Sequence, residues 1–157
     1  MREHMGLYRG KRIDNGEWME SSSFVRLGDG EENAVWKYYL GAGNPAVSVF
    51  DNGNITASVT MADALFYEVD PDTVGECTGL TDKNGKLIFE GDILEHHAQS
   101  NIVVNRGVVN WDAKNARWAH QLNTMNPCFY MHNPNAVEII GNIHDNPELL
   151  KGGEADG

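Results

Sequence analysis

Short apolar segments separated by polar turns recur along the chain, and this pattern predicts β-strands joined by hairpins. In the clearest example, residues 78–81 and 87–93 flank the polar turn DKNG at residues 82–85. The Asn-Gly pair of that turn supplies the positive φ that tight hairpin turns require. A glycine between two carboxylates at residues 90–92 predicts a bulge or a sharp bend, with a new strand starting near Ile93.

Two similar hairpins are predicted earlier in the chain. Residues 7–13 and 17–24 flank one Asn-Gly turn, and residues 47–50 and 55–60 flank another. The remaining segments of this half are two predicted strands and one helical turn, at residues 35–40, 66–69 and 61–65 respectively. Together these segments predict an N-terminal β-hairpin region over residues 1–70.

The second half continues the same pattern. Residues 102–111 and 116–122 bracket a polar connection of hairpin length, which would place Trp111 opposite Trp118. Residues 136–143 predict the last strand. The segment that follows predicts a short helical turn, because Asn146 can cap it and Pro147 suits its first position. We therefore expect a β core over residues 71–150 and a disordered, glycine-rich tail over residues 151–157.

Four blocks of the sequence resemble the YopX family. They are LYRGKRIDNGEWMESS (7–22), EVDPDTVGECTGLTDKNGKLIFEGDIL (68–94), GVVNWD (107–112) and VEIIGNIHDNPELL (137–150), in the family's order. The resemblance implies a protein encoded by phages or prophages, with a mainly β fold whose C-terminal half is a small barrel-like, SH3-like unit. It implies no substrate or reaction. The chain departs from the family at Glu76 and Cys77, where an aromatic is expected, and residues 26–60 match none of the blocks.

Charge and composition narrow the classes of partner. The chain has 12 basic and 23 acidic residues, a net charge of −11, which repels a phosphate backbone and argues against nucleic acid as a partner. No apolar run approaches the roughly 18 residues of a membrane helix, and Arg2, Glu3 and His4 break any signal-peptide pattern. Cys77 and Cys128 lie far apart in a chain without a secretory leader. These features predict a cytosolic protein with no membrane partner, and the family resemblance implies that the cytosol is that of a bacterial host.

The sequence contains no familiar catalytic or metal-binding motif. His96 and His97 are adjacent on a predicted strand, so their side chains point to opposite faces and do not chelate one ion side by side. The other histidines, among them His120 and His144, show neither HExxH nor a similar spacing. Cys128 lies among apolar residues that favour an inert, buried thiol. We therefore predict no cofactor, no metal site and no catalytic residues.

Aromatic residues are the better functional clue. Most of them fill the core, but Trp111, Trp118 and Tyr130 are the candidate interface residues. We predict a non-enzymatic module that binds a host or phage protein, or that assembles into a homo-oligomer by pairing exposed strand edges. One alternative is a single-stranded nucleic-acid binder that uses barrel aromatics. The other is a small hydrolase, which requires a polar cleft with displaced pKa values.

Overall fold

The computed structural model describes residues 6–28, 36–42, 47–49, 57–59, 65–97, 103–121, 129–130 and 136–151. Over these residues the prediction of a mainly β protein is confirmed, since the helical structure consists of short 3₁₀ turns. None of these turns is long and apolar enough to cross a membrane. The chain divides into two compact units, one from Gly6 to Val74 and the other from Gly75 onwards.

The first unit begins with the predicted hairpin. Strands β1 (Tyr8–Lys11) and β2 (Trp18–Ser21) are antiparallel. The turn between them is closed by Gly16, which has a φ of 72° and whose N–H donates to the Arg12 carbonyl at 2.9 Å. Glycine adopts this left-handed conformation without steric cost, which explains why the Asn-Gly signal located the turn correctly.

The rest of the first unit is built on a central strand. β3 (Phe24–Leu27) pairs with β4 (Lys37–Ala42), and β5 (Val47–Val49) pairs with β6 (Ala57–Val59). β7 (Leu65–Val69) then pairs with the other side of β4, giving a three-stranded antiparallel sheet. These pairings confirm the strands predicted at residues 35–40 and 66–69 and the predicted pairing of residues 47–50 with 55–60, whereas β3 was not predicted. The turn predicted between β5 and β6 and most of the predicted helical turn, residues 61–64, lie outside the described residues.

A short 3₁₀ turn, Pro71–Thr73, ends the first unit. The Asp70 carboxylate caps it by accepting the Asp72 N–H at 3.1 Å. The buried hydroxyl of Thr73 donates to the Asp70 carbonyl at 2.7 Å and accepts the Lys11 N–H at 2.9 Å. This hydroxyl therefore connects the end of the unit to β1.

The second unit begins with the hairpin of β8 (Gly75–Thr81) and β9 (Leu87–Phe89), as predicted. The predicted bend after β9 is confirmed at Glu90 and Gly91, where Gly91 has a φ of 83°. The next strand, β10 (Asp92–His97), does not pair with β9. It lies between β11 (Val103–Asp112) and β14 (Val137–Asn142) instead.

Five strands form the main sheet of this unit. β12 (Arg117–Gln121) and β13 (Phe129–Tyr130) complete it, in the order β13-β12-β11-β10-β14. In the part of the chain that the structure describes, the sheet is open and does not close into a barrel. Its core consists of apolar side chains from several strands: Ile88, Leu94, Val109 and Val137, with Leu80, Trp118 and Ile139 packed against them.

The outer edge of β14 is covered by the turn between β8 and β9. The Lys83 N–H donates to the Val137 carbonyl at 2.9 Å, and the buried Asp82 carboxylate accepts the Ile139 N–H at 3.2 Å. The same carboxylate accepts the N–H groups of Asn84 and Lys86, both at 2.9 Å. Asp82 therefore stabilises its own turn and also accepts a backbone N–H from a strand that is distant in sequence.

The predicted C-terminal helical turn is confirmed as a 3₁₀ turn over Pro147–Leu150. The predicted cap is wrong in its chemistry, because the Asn146 side chain makes no capping hydrogen bond. Its Oδ1 instead accepts the Asn142 N–H at 3.4 Å. Arg106 holds the far end of the turn by donating from Nη1 to the Leu149 carbonyl at 2.8 Å.

Candidate functional site: the Trp111–Trp118 hairpin

The hairpin of β11 and β12 places two tryptophans directly opposite each other. Trp111 pairs with Trp118 in the strand register, as the sequence predicts. Their ring centroids are 5.2 Å apart and the rings are inclined at 73°, an edge-to-face arrangement that aromatic pairs favour. Trp118 also packs against the core of the second unit, so it anchors the pair.

Trp111 projects from this anchored pair into solvent. It is 46% exposed, although it is among the largest apolar side chains. Because its neighbour Trp118 is held by the core, we expect the Trp111 ring to keep few rotamers in the unbound protein. A rigid aromatic side chain loses little entropy on binding, which makes it well suited to contact a partner.

Polar contacts fix the end of the hairpin. Asp112 accepts hydrogen bonds from Asn115 Nδ2 at 2.7 Å and from Arg117 Nε at 3.3 Å. The side-chain hydrogen bond from Asn115 is the main cause that lowers the pKa of Asp112, and Arg117 lowers it further. Ala116 ends the turn with a φ of 51°, in the left-handed region that non-glycine residues rarely adopt. The turn next to Trp111 is therefore closely defined.

The third predicted interface residue is placed only in part. The backbone of Tyr130 belongs to β13 and pairs with Ala119, one residue beyond Trp118. The direction of its side chain lies outside what the structure describes. The structure thus brings Trp111 and Trp118 together, and it places the backbone of Tyr130 on the neighbouring strand.

A charged network that the sequence did not indicate lies where β10 meets β11 and β14. The Glu95 carboxylate accepts a hydrogen bond from Arg106 Nε at 3.1 Å, and the Glu138 carboxylate lies 2.6 Å from Lys83 Nζ. His97 Nε2 is 3.4 Å from Glu138 and 3.8 Å from Glu95. The ion pair with Lys83 is the main cause that lowers the pKa of Glu138. Because both carboxylates already have a basic partner, we interpret the network as a structural connection between strands.

The remaining histidines and cysteines take different environments. His120 is 1% exposed, its ring centroid is 6.4 Å from that of His96, and burial together with His96 lowers its pKa to about 4. Cys77 is a buried free thiol, whereas Cys128 lies outside the described residues. Within the described ranges, no three His, Cys, Asp or Glu side chains are arranged to hold a metal ion.

The described strands define a hairpin-rich, mainly β protein. The family model for YopX protein matches residues 7–151, and the chain belongs to this family. Among solved structures, the chain is similar to the crystal structure of protein EF1440 from Enterococcus faecalis, with 22% identity and a TM-score of 0.39. That match covers 93% of this chain and 99% of the other. No curated protein matches the chain.

Proposed function

We propose that the protein is a phage-type, non-enzymatic protein-binding module of the bacterial cytosol, and that Trp111 is the centre of its contact surface. The observation that carries the proposal is the 46% exposure of Trp111 beside the core-anchored Trp118. Tryptophan is enriched among the few residues that dominate binding energy at protein interfaces. The partner is a host or phage protein, or a second copy of the chain.

The charges around the hairpin favour a protein partner over a nucleic acid. Arg117 of the β11–β12 hairpin is paired with Asp112 at 3.3 Å. The other Lys and Arg residues of this hairpin are Lys114 and Arg106. Arg106 in turn is committed to Glu95. Single-stranded nucleic-acid sites combine stacking rings with several cations along the backbone. The chain has a net charge of −11, which repels a phosphate backbone. An exposed ring without several cations beside it therefore favours a protein partner over a nucleic acid.

The test is affinity purification of the tagged protein from its bacterial host, with and without nuclease, followed by mass spectrometry. We expect a stoichiometric protein that survives nuclease with the wild type and is reduced at least about tenfold with Trp111→Ser. Sedimentation velocity of the same two proteins checks for self-association. Here we expect the wild type to form a species larger than the 17.4 kDa chain if the partner is a second copy.

Ile13→Ser is the matched control. Ile13 is 58% exposed and belongs to the first unit, so the control also removes an exposed apolar side chain. We expect it to retain the partner. Equal recovery with Trp111→Ser and wild type, or recovery that nuclease abolishes, would contradict the proposal.

A further inference from the structure

A column of planar side chains crosses the first unit. Tyr8 stacks on Phe24 with ring centroids 4.8 Å apart and an angle of 22°, and Phe24 lies 5.9 Å from Tyr38. The guanidinium of Arg26 follows, 5.8 Å from the Tyr38 centroid and 3.9 Å from that of Trp36. We call these five residues the Arg26 column.

Strand register explains why the column forms. Phe24 and Arg26 are two residues apart on β3, so they share a face of the sheet, and Arg26 lies opposite Tyr38 on β4. Trp36 immediately precedes β4 and is two residues from Tyr38. Alternate residues of two paired strands thus line up in one row.

The column is open at one end. Trp36 is 47% exposed, whereas Phe24, Tyr8 and Tyr38 are all half-buried. Arg26 is exposed and lies between the rings of Trp36 and Tyr38. An arginine stacked in this way still presents the N–H groups at the edge of its guanidinium.

Those N–H groups form no ion pair within the part of the chain that the structure describes. Arg12 pairs with Asp14, Arg106 with Glu95, and Arg117 with Asp112. Arg26 makes no ion pair with any carboxylate in the described part of the chain, although acidic residues outnumber basic ones by 23 to 12. Its guanidinium edge is therefore our candidate contact for an anion from another molecule.

We propose that Arg26 and Trp36 form a second binding site, which takes an acidic peptide segment of a partner protein. Arg26 donates its pair of N–H groups to an aspartate or glutamate side chain, and an adjacent apolar side chain of the peptide packs on the Trp36 ring. A carboxylate needs one such cation. A nucleic acid requires several phosphate contacts, whereas Arg26 contributes a single guanidinium to the described end of the column.

The experiment uses the full-length protein labelled with ¹⁵N and the blocked peptide GELEFEG, with GQLQFQG as its uncharged counterpart. The readouts are the NMR signals of the Trp36 indole N–H and the Arg26 Nε–H, assigned by substitution. We expect saturable shifts of both signals with the glutamate peptide and at least about tenfold weaker binding of the glutamine peptide. Arg26→Gln should weaken binding of the glutamate peptide to the same extent, as measured by the shift of the Trp36 indole N–H signal. Arg26→Lys should weaken it less, because it retains the charge but lacks the paired donors.

Lys86→Gln is the matched control, since it removes one exposed positive charge from the second unit. We expect it to bind like the wild type, and a dispersed spectrum shows that each variant is folded. The proposal is overturned if both peptides bind equally, if Trp36 does not respond to millimolar peptide, or if Arg26→Gln leaves the affinity unchanged. Tighter, salt-sensitive binding of oligothymidylate than of the glutamate peptide would also overturn it, in favour of nucleic acid.

Discussion

The carboxylate of Asp82 joins a turn to a strand more than fifty residues away in sequence, as it accepts N–H groups from Asn84, Lys86 and Ile139. In Asp82→Asn, an NH₂ group replaces one carboxylate oxygen. This NH₂ group then faces a backbone N–H, so two donors meet without an acceptor. We expect the free energy of unfolding to fall by about 1–3 kcal/mol at pH 7, measured by urea denaturation. Asp72→Asn is the control, because Asp72 is exposed; an equal loss in both variants would contradict this role.

The same residue makes stability depend on acid pH. Burial alone would raise the pKa of Asp82, but the N–H groups of Lys86, Ile139 and Asn84 outweigh burial and lower it below the ordinary value of 3.8. The stabilisation is therefore present above that ordinary value and is lost as the pH falls through the lower value of the folded protein. We expect the difference in the free energy of unfolding between the wild type and Asp82→Asn, measured by urea denaturation, to become smaller as the pH falls through the lowered pKa of Asp82.

His120 makes stability depend on a higher pH range. Its pKa is lowered from 6.5 to about 4, chiefly by burial and secondly by the charge of His96. The unfolded chain then takes up a proton that the folded protein does not. We expect the free energy of unfolding to fall by roughly 3 kcal/mol between pH 6.5 and pH 4 through this residue. An NMR titration of the imidazole checks the cause, and a midpoint near 6.5 would contradict it.

At the scale of the element, the corner at Glu90 and Gly91 determines which strands pair. Gly91 donates its N–H to the Val109 carbonyl and accepts the Ile143 N–H, both at 2.9 Å. The positive φ of Gly91 allows both bonds at one residue. The chain consequently leaves β9 and enters the main sheet between β11 and β14.

The close approach of β8 to this corner gives a test. A Cβ at Gly75 would lie 2.6 Å from the Glu90 carbonyl oxygen, a backbone atom. We expect Gly75→Ala to lower the free energy of unfolding by about 1–3 kcal/mol because the two backbones must separate, as measured by thermal or urea denaturation. The neighbouring exposed Glu76→Ala is the control. Wild-type stability of Gly75→Ala would show that the strands move apart freely.

Local signals explain which elements were predictable. The turns at Gly16 and Gly85 were found because their conformation depends on residues adjacent in sequence. The position of β10 between β11 and β14 was not predictable, since it depends on pairing between segments distant in sequence. The Arg26 column was missed for the same reason. Its one sequence signal is the alternation of Phe24 with Arg26 and of Trp36 with Tyr38.

At the scale of the whole molecule, turn residues predicted the mainly β class but not that the described sheet is open. Whether strands close into a barrel depends on their stagger and tilt, which local sequence does not determine. The burial of His120 was likewise hidden, because no local pattern distinguishes it from an exposed histidine. The Trp111–Trp118 pair was predictable because a short polar connection sets both strands in register.

The covering of β14 by the Asp82 turn has a consequence for handling the protein. An uncovered strand edge is a template for cross-β fibrils. Charged or hydrogen-bonded groups that cover such an edge oppose fibril formation. While Asp82 is ionised, its carboxylate and the Lys83 N–H occupy the backbone groups of Ile139 and Val137. Protonation in strong acid weakens that cap. Concentrated stocks should therefore stay clear at neutral pH and develop thioflavin-positive fibrils first in acid.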